Sequence, residues 1–125
     1  MKQEKISRAY RALVNLSTHI FPFKVAYEIK MAMDKLKPII ECAYIEEEKL
    51  LKANGGTIKP NGTIEFETST GMYEYRKAMK EMNDADIQVD IHPFAIDIVL
   101  MENLKITPSD IDALDGILSF ITVDQ

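Results

Sequence analysis

Tryptophan is absent from this chain, cysteine occurs once and histidine twice. The single thiol, Cys42, excludes an internal disulfide and any cysteine-rich zinc site. His19 and His92 stand far apart in sequence and no HExxH occurs. A zinc centre needs three or four ligands, so neither histidine announces one. No apolar run approaches the roughly 18–20 residues that span a bilayer. The opening MKQEKISRAYRALVN lacks the apolar core of a secretion signal, and a cytosolic or particle-borne chain is expected. Phosphate-cradling GxxxxGK[ST] and GxGxxG loops are missing, and no serine sits in a GxSxG context.

Basic charge is lacking in one part of the chain. Residues 1–82 hold fourteen Lys and Arg against eleven Asp and Glu, a balance of +3. Residues 83–125 hold Lys105 alone against nine acids, a balance of −8. Wholesale nucleic-acid binding needs a concentrated basic surface, and this distribution opposes it. The small basic cluster that remains is Lys2, Lys5, Arg8 and Arg11. It reads as a solvated helix start, as a partner for the acidic part of the same or a neighbouring chain, or as a phosphate contact.

What is present fits one α+β domain over residues 1–125, mainly helical. Apolar residues make up 46% of the 125, enough for a modest core. The first helix is expected to start near Ser7 as N-cap, with Ile6, Tyr10, Leu13 and Val14 on its apolar side. STHIFPF ends it, and Pro22 opens the dominant element, a helix of about residues 22–54. Val25, Ile29, Ala32, Leu36, Ile39, Ala43, Glu46, Leu50 and Ala53 alternate at steps of four and three, the 3.5-residue seam of a supercoiled helix, with Met33, Ile40 and Tyr44 widening it on one flank. About 30 helical residues reach roughly 45 Å. Part of that seam therefore calls for another helix, from this chain or from a second copy. Pro38 removes one backbone donor and should kink or divide the helix. Cys42, in PIIECAYIEE, is expected as a packed, unreactive thiol. Glu48 and Lys52 have the favourable i, i+4 order of an exposed pair.

NGG at 54–56 stops that helix. A β-hairpin over about 57–68 follows, with Ile58, Ile64 and Phe66 flanking the turn KPNGT. A helix over about 70–83 comes next, and its stripe of Met72, Tyr75, Met79 and Met82 is suited to lie antiparallel on the long helix. DIQVDI alternates as a strand over about 86–92. A C-terminal helix over about 108–122 then starts with Thr107 as N-cap and Pro108 at N1, with Ile111, Leu114, Ile117, Leu118 and Ile121 inward.

The segment DIQVDIHPFAIDIVL offers the most ligand-like side chains. Asp90 and His92, two apart on a strand, share a face with Asp86 and Gln88. They are the candidates for a metal-dependent enzyme, yet the same alternation describes the wet face of an ordinary strand. The second reading is preferred, and no metal or other cofactor is expected.

The order of these elements carries a resemblance. PFKVAYEIKMAMDKLKPIIECAYIEEEKLL, then DIQVDIHPF and LKITPSDIDALDGIL, resembles a group of small, uncharacterised phage and prophage proteins over roughly residues 5–121. Those proteins pair a P-x-K-x-A-Y-x-I helix start with an acidic V-D-I strand and a T-P-x-D-I-x-A-L helix. The resemblance implies a phage origin, an α+β helical-hairpin fold and residence in the cytoplasm of a bacterial host or in the virion. It brings no catalytic residue with it. The expected function is therefore that of a non-enzymatic phage accessory protein acting through protein–protein interaction. Virion or tail assembly and inhibition of a host or defence protein both suit that description. Homo-oligomerisation would use the seam of Val25, Ile29, Leu36, Ile39 and Leu50. The alternative is an anti-defence sponge for a small nucleotide signal, with Lys2, Lys5, Arg8, Arg11, Tyr10, Tyr73 and Arg76 as contacts.

Overall fold

A computed structural model describes residues 1–123. The first helix, α1 (Gln3–Ser17), is organised by Ile6, Ala9, Leu13 and Leu16, at steps of three, four and three and almost wholly buried. It begins four residues before the expected cap. Ser7 lies inside the helix and accepts a hydrogen bond from Gln3 Nε2 at 3.3 Å, while Tyr10 and Val14 fall on the wetter flank. The Ser17 and Thr18 hydroxyls donate to the carbonyls of Val14 and Asn15, at 2.6 and 2.7 Å, and satisfy two acceptors freed at the helix end.

The dominant helix, α2 (Phe23–Ala53), runs unbroken through Pro38. Pro38 is solvent-exposed, so water can reach the carbonyl one turn earlier that has lost its donor. The short turn at 18–22 lays α2 antiparallel to α1, its principal packing partner. The buried stripe is Ile29, Ala32, Leu36, Ile40 and Leu51. This departs from the expected 3.5-residue seam. Ile39 and Leu50 are only half-buried, and burial has drifted one residue on, to Ile40 and Leu51. An unsupercoiled helix of about 3.6 residues per turn falls behind a strict seven-residue repeat in this way. Glu46 turns to solvent and pairs with Lys49 at 3.4 Å, and Glu48–Lys52 forms the expected i, i+4 pair at 2.9 Å.

The hairpin consists of β1 (Gly56–Ile58) and β2 (Ile64–Phe66), antiparallel with Ile58 opposite Ile64. Gly62 takes the positive φ of 86° that its turn requires. Next, α3 (Ser69–Asp84) starts on Thr68, whose side chain accepts from the Gly71 amide at 3.0 Å. Its order against α2 is antiparallel: Gly71 abuts Asn54, Tyr75 meets Glu47, and Met82 shares a groove with Ile39. Tyr75 is buried and stacks obliquely on Phe66, ring centroids 5.3 Å apart. The long helix therefore packs antiparallel on the shorter α3, as expected, and more extensively on α1.

Two expectations fail after α3. No strand forms over 86–92. The alternation itself is real, with Ile87, Val89 and Ile91 half-buried and Asp86, Gln88, Asp90 and His92 exposed. The segment lacks a strand to pair with, however. Among the described residues its one ladder contact is a single bridge between Asp86 and Lys2, flanked by Gln3 N–H to the Ala85 carbonyl and Ile87 N–H to the Met1 carbonyl. The strand lies further on, as β3 (Phe94–Asp97), followed by a 3₁₀ turn at Ile98–Met101.

The C-terminal helix is also shorter than expected. Thr107 caps α4 (Pro108–Leu114), its hydroxyl accepting from the Asp110 amide at 3.1 Å. Gly116 then adopts a φ of 86° and turns the chain out of the helix. The apolar residues beyond it form β4 (Leu118–Ile121), parallel to β3 with Phe94 opposite Leu118 and Ile96 opposite Phe120. Ile111, expected inward, is exposed, and Ile121 belongs to the strand. Ile96, Leu114, Ile117 and Leu118 close the core over Leu13, Leu16, Ile29 and Leu36.

Candidate functional site

The seam residues divide once they are placed in three dimensions. Ile29 and Leu36 lie in the core at 1% and 0% exposure. A second copy could reach them only by displacing α1. Val25 and Ile39 are half-buried, and so is Leu50. Ile39 lines a groove of about 370 Å³ with Pro38, Cys42 and Met82, between α2 and α3. Cys42 is exposed there, contrary to the expected packed thiol, because the shift of the buried stripe turns it outward.

The opposite side of α2 holds what the seam concealed. At about 100° per residue, Phe23 and Tyr27 fall roughly opposite Ile29 and Leu36. Phe23 is 83% exposed and Tyr27 54%, and their rings stack with centroids 6.0 Å apart at 27°. Met31, one turn further along, is also exposed, and Ile20 just before the helix is fully so. The signal was available as an i, i+4 aromatic pair facing away from the apolar stripe, in a position where packing asks for polar residues.

Asp90 and His92 border this surface. With Glu28, Lys35, Met31 and Phe94 they line a trough of about 160 Å³. Among the described residues no three His, Cys, Asp or Glu side chains gather closely enough to hold a metal ion. The pair thus forms a polar edge beside apolar Met31 and Phe94.

Of the basic candidates, Arg8 and Arg11 do come together. One turn apart on α1, they line a groove of about 380 Å³ with Tyr10, Tyr44 and Asn83, while Glu4 and Glu47 bring two carboxylates to the same groove. Lys2, Lys5 and Arg76 lie outside it, Lys2 and Arg76 exposed and Lys5 half-buried. Among the described residues none of these five bases makes an ion pair. Beneath the groove's rim, the Tyr75 hydroxyl donates to Glu47 Oε1 at 3.5 Å. Burial, then the neighbouring Glu47 charge and this hydrogen bond, push the Tyr75 hydroxyl above the ordinary tyrosine pKa of 10.0.

No protein-family model matches this chain, and comparisons with curated proteins and with solved structures find no match.

Proposed function

We propose that this chain is a non-enzymatic phage accessory protein that works by binding other proteins, with self-association through α2. The carrying observation is the apolar group of Phe23, Tyr27 and Met31 on the outward side of α2. Single exposed apolar residues are commonplace. A stacked aromatic pair continuing into another apolar side chain, and edged by Glu28, Lys35, Asp90 and His92, has the apolar centre and polar rim of an interface. Aromatic residues also dominate interface hot spots. The self-association surface thereby moves from Ile29 and Leu36 to the opposite side of the same helix. The phage origin, and the choice between virion or tail assembly and inhibition of a host or defence protein, rest on the sequence resemblance. Light scattering across the micromolar range is expected to give a mass above the 14.2 kDa monomer, reverting to monomer in F23S/Y27S. A monomer at high micromolar concentration would overturn self-association.

A second reading, the sponge for a small nucleotide signal, is favoured by the convergence of Arg8, Arg11, Tyr10 and Tyr44 on one groove. Guanidinium groups suit phosphate and tyrosine rings suit a base. Glu4 and Glu47 weaken the case by placing negative charge at the same groove. Calorimetric titration with cyclic and ADP-ribose-type nucleotides decides it, and absence of heat counts against the sponge.

A further inference from the structure

A two-stranded sheet has two outer edges, and here they differ. The Phe94 N–H donates to the Ile117 carbonyl, which fixes the phase of the parallel pairing. Alternate β4 residues then direct their backbone groups away from β3: Leu118, Phe120 and, one step past the strand, Thr122. Leu118 is covered, so the open run begins at Phe120. Beyond the pairing with β3, none of residues 118–123 makes a backbone hydrogen bond among the described residues. On β3 the corresponding edge is guarded, because Pro93 precedes it and Asp97 ends it. Leu118-Ser119-Phe120-Ile121 has neither proline nor charge. Natural sheets rarely leave such an edge uncovered.

The surroundings describe what would cover it. A trough of about 520 Å³ lies against Leu118 and Phe120, walled by Ile98, Met101, Ile106 and Ile111. Ile121 and Val123 are exposed beside it. The charges of this region are mostly of one sign: Asp97, Glu102, Asp110, Asp112 and Asp115 against Lys105 alone. Among the described residues none of these acids is paired. A second copy would bring the same acids to the same place, and like charges brought together repel.

We infer that the β4 edge and its trough receive an extended segment of another protein, with apolar residues at alternate positions and lysine or arginine at its ends. Backbone groups at Phe120 and Thr122 would extend the sheet by one strand, the trough would seat its apolar side chains, and the acids would hold its basic ends. This rests on the protein-binding reading above but uses a surface separate from α2.

The test uses the full chain with a synthetic peptide of alternating valine and threonine between paired lysines, and a control with glutamates in place of the lysines. The lysine peptide is expected to protect the Phe120 and Thr122 amides from hydrogen exchange in NMR, while the glutamate peptide does not. I121K, which places a guarding charge on the edge, should weaken binding at least about tenfold. D112K/D115K leaves the strand sequence untouched, brings the five acids and Lys105 to a balance of zero, and should abolish the preference between the peptides. Protection by both peptides alike, or by neither, overturns the inference. Protection that grows with protein concentration alone overturns it in favour of a second copy. Light scattering of I121K reports independently on α2: self-association retained with peptide binding lost separates the two surfaces, and failure of either leaves the other standing.

Discussion

At the residue scale, the most informative difference is between Leu50 and Leu51. Both are leucines in one helical turn, and the 3.5-residue seam selects Leu50. In the fold Leu51 is 6% exposed, while Leu50 is half-buried. Truncation of a buried leucine removes its transfer energy and leaves a cavity, so Leu51→Ala is expected to cost about 2–5 kcal/mol, and Leu50→Ala about half that or less. Urea denaturation of the two variants checks the order, and a larger loss for Leu50→Ala would restore the seam. Tyr75 supplies a second prediction. Its folded pKa is raised above the unfolded value, so folding favours the protonated hydroxyl. Its contribution is fully present below pH 10.0 and is lost as the pH rises through the folded pKa. Ultraviolet titration of wild type against Y75F should place the Tyr75 ionisation above pH 10.0. Y75F, which cannot ionise, should lose less stability than wild type when the pH is raised past that point.

At the element scale, the signals carried by a single segment were largely legible in the sequence, and pairing between distant segments was not. The extent of α2, the Thr107 cap, the hairpin turn and the methionine face of α3 all follow from local spacing, which a single segment displays. The segment 86–92 has a strand's alternation without becoming one, because a strand needs a partner and its neighbours there are helices. Conversely, Ile117 and the β4 residues Leu118 and Ile121 also fit a helical spacing, so periodicity does not distinguish this strand from a continuation of α4. Only Gly116, at positive φ, marks the boundary. The candidate site was legible to the same degree. Arg8 and Arg11 fall together because they share one helix, whereas Arg76, on another, does not join them. Contact between α2 and α3 gives a further test. A Cβ at Gly71 would run into the backbone carbonyl of Asn54, which cannot move aside as a flexible side chain can. Alanine would gain at most about 1 kcal/mol of helix propensity. The overlap costs about 1–3 kcal/mol. G71A is therefore expected to lower the melting temperature, and an unchanged or higher value would show that the helices are not held this closely.

At the scale of the whole molecule, the core is complete while the surface is uneven. Side chains from α1, α2, β3, α4 and β4 meet in one cluster without a second chain. Self-association, on this reading, is not what fills the core, and it should form and dissociate without unfolding. Apolar surface stays exposed at the margins of that cluster, among the described residues on the outward side of α2 and, with Ile121 and Val123, along the β4 edge. Their separation would let one molecule hold a copy of itself and another protein at the same time.

The most direct measurement deletes the gene from the genome that carries it and restores it as one of three versions. These are wild type, F23S/Y27S with its surface changed, and D90N/H92A with its ligand-like side chains removed. The expected result is that wild type and D90N/H92A restore the phenotype, since Asp90 and His92 lie only on the rim where single contacts contribute little, while F23S/Y27S, which removes the centre, folds with an unchanged far-ultraviolet spectrum and does not. Restoration by F23S/Y27S together with failure of D90N/H92A would contradict a protein-binding role and point to chemistry at Asp90 and His92.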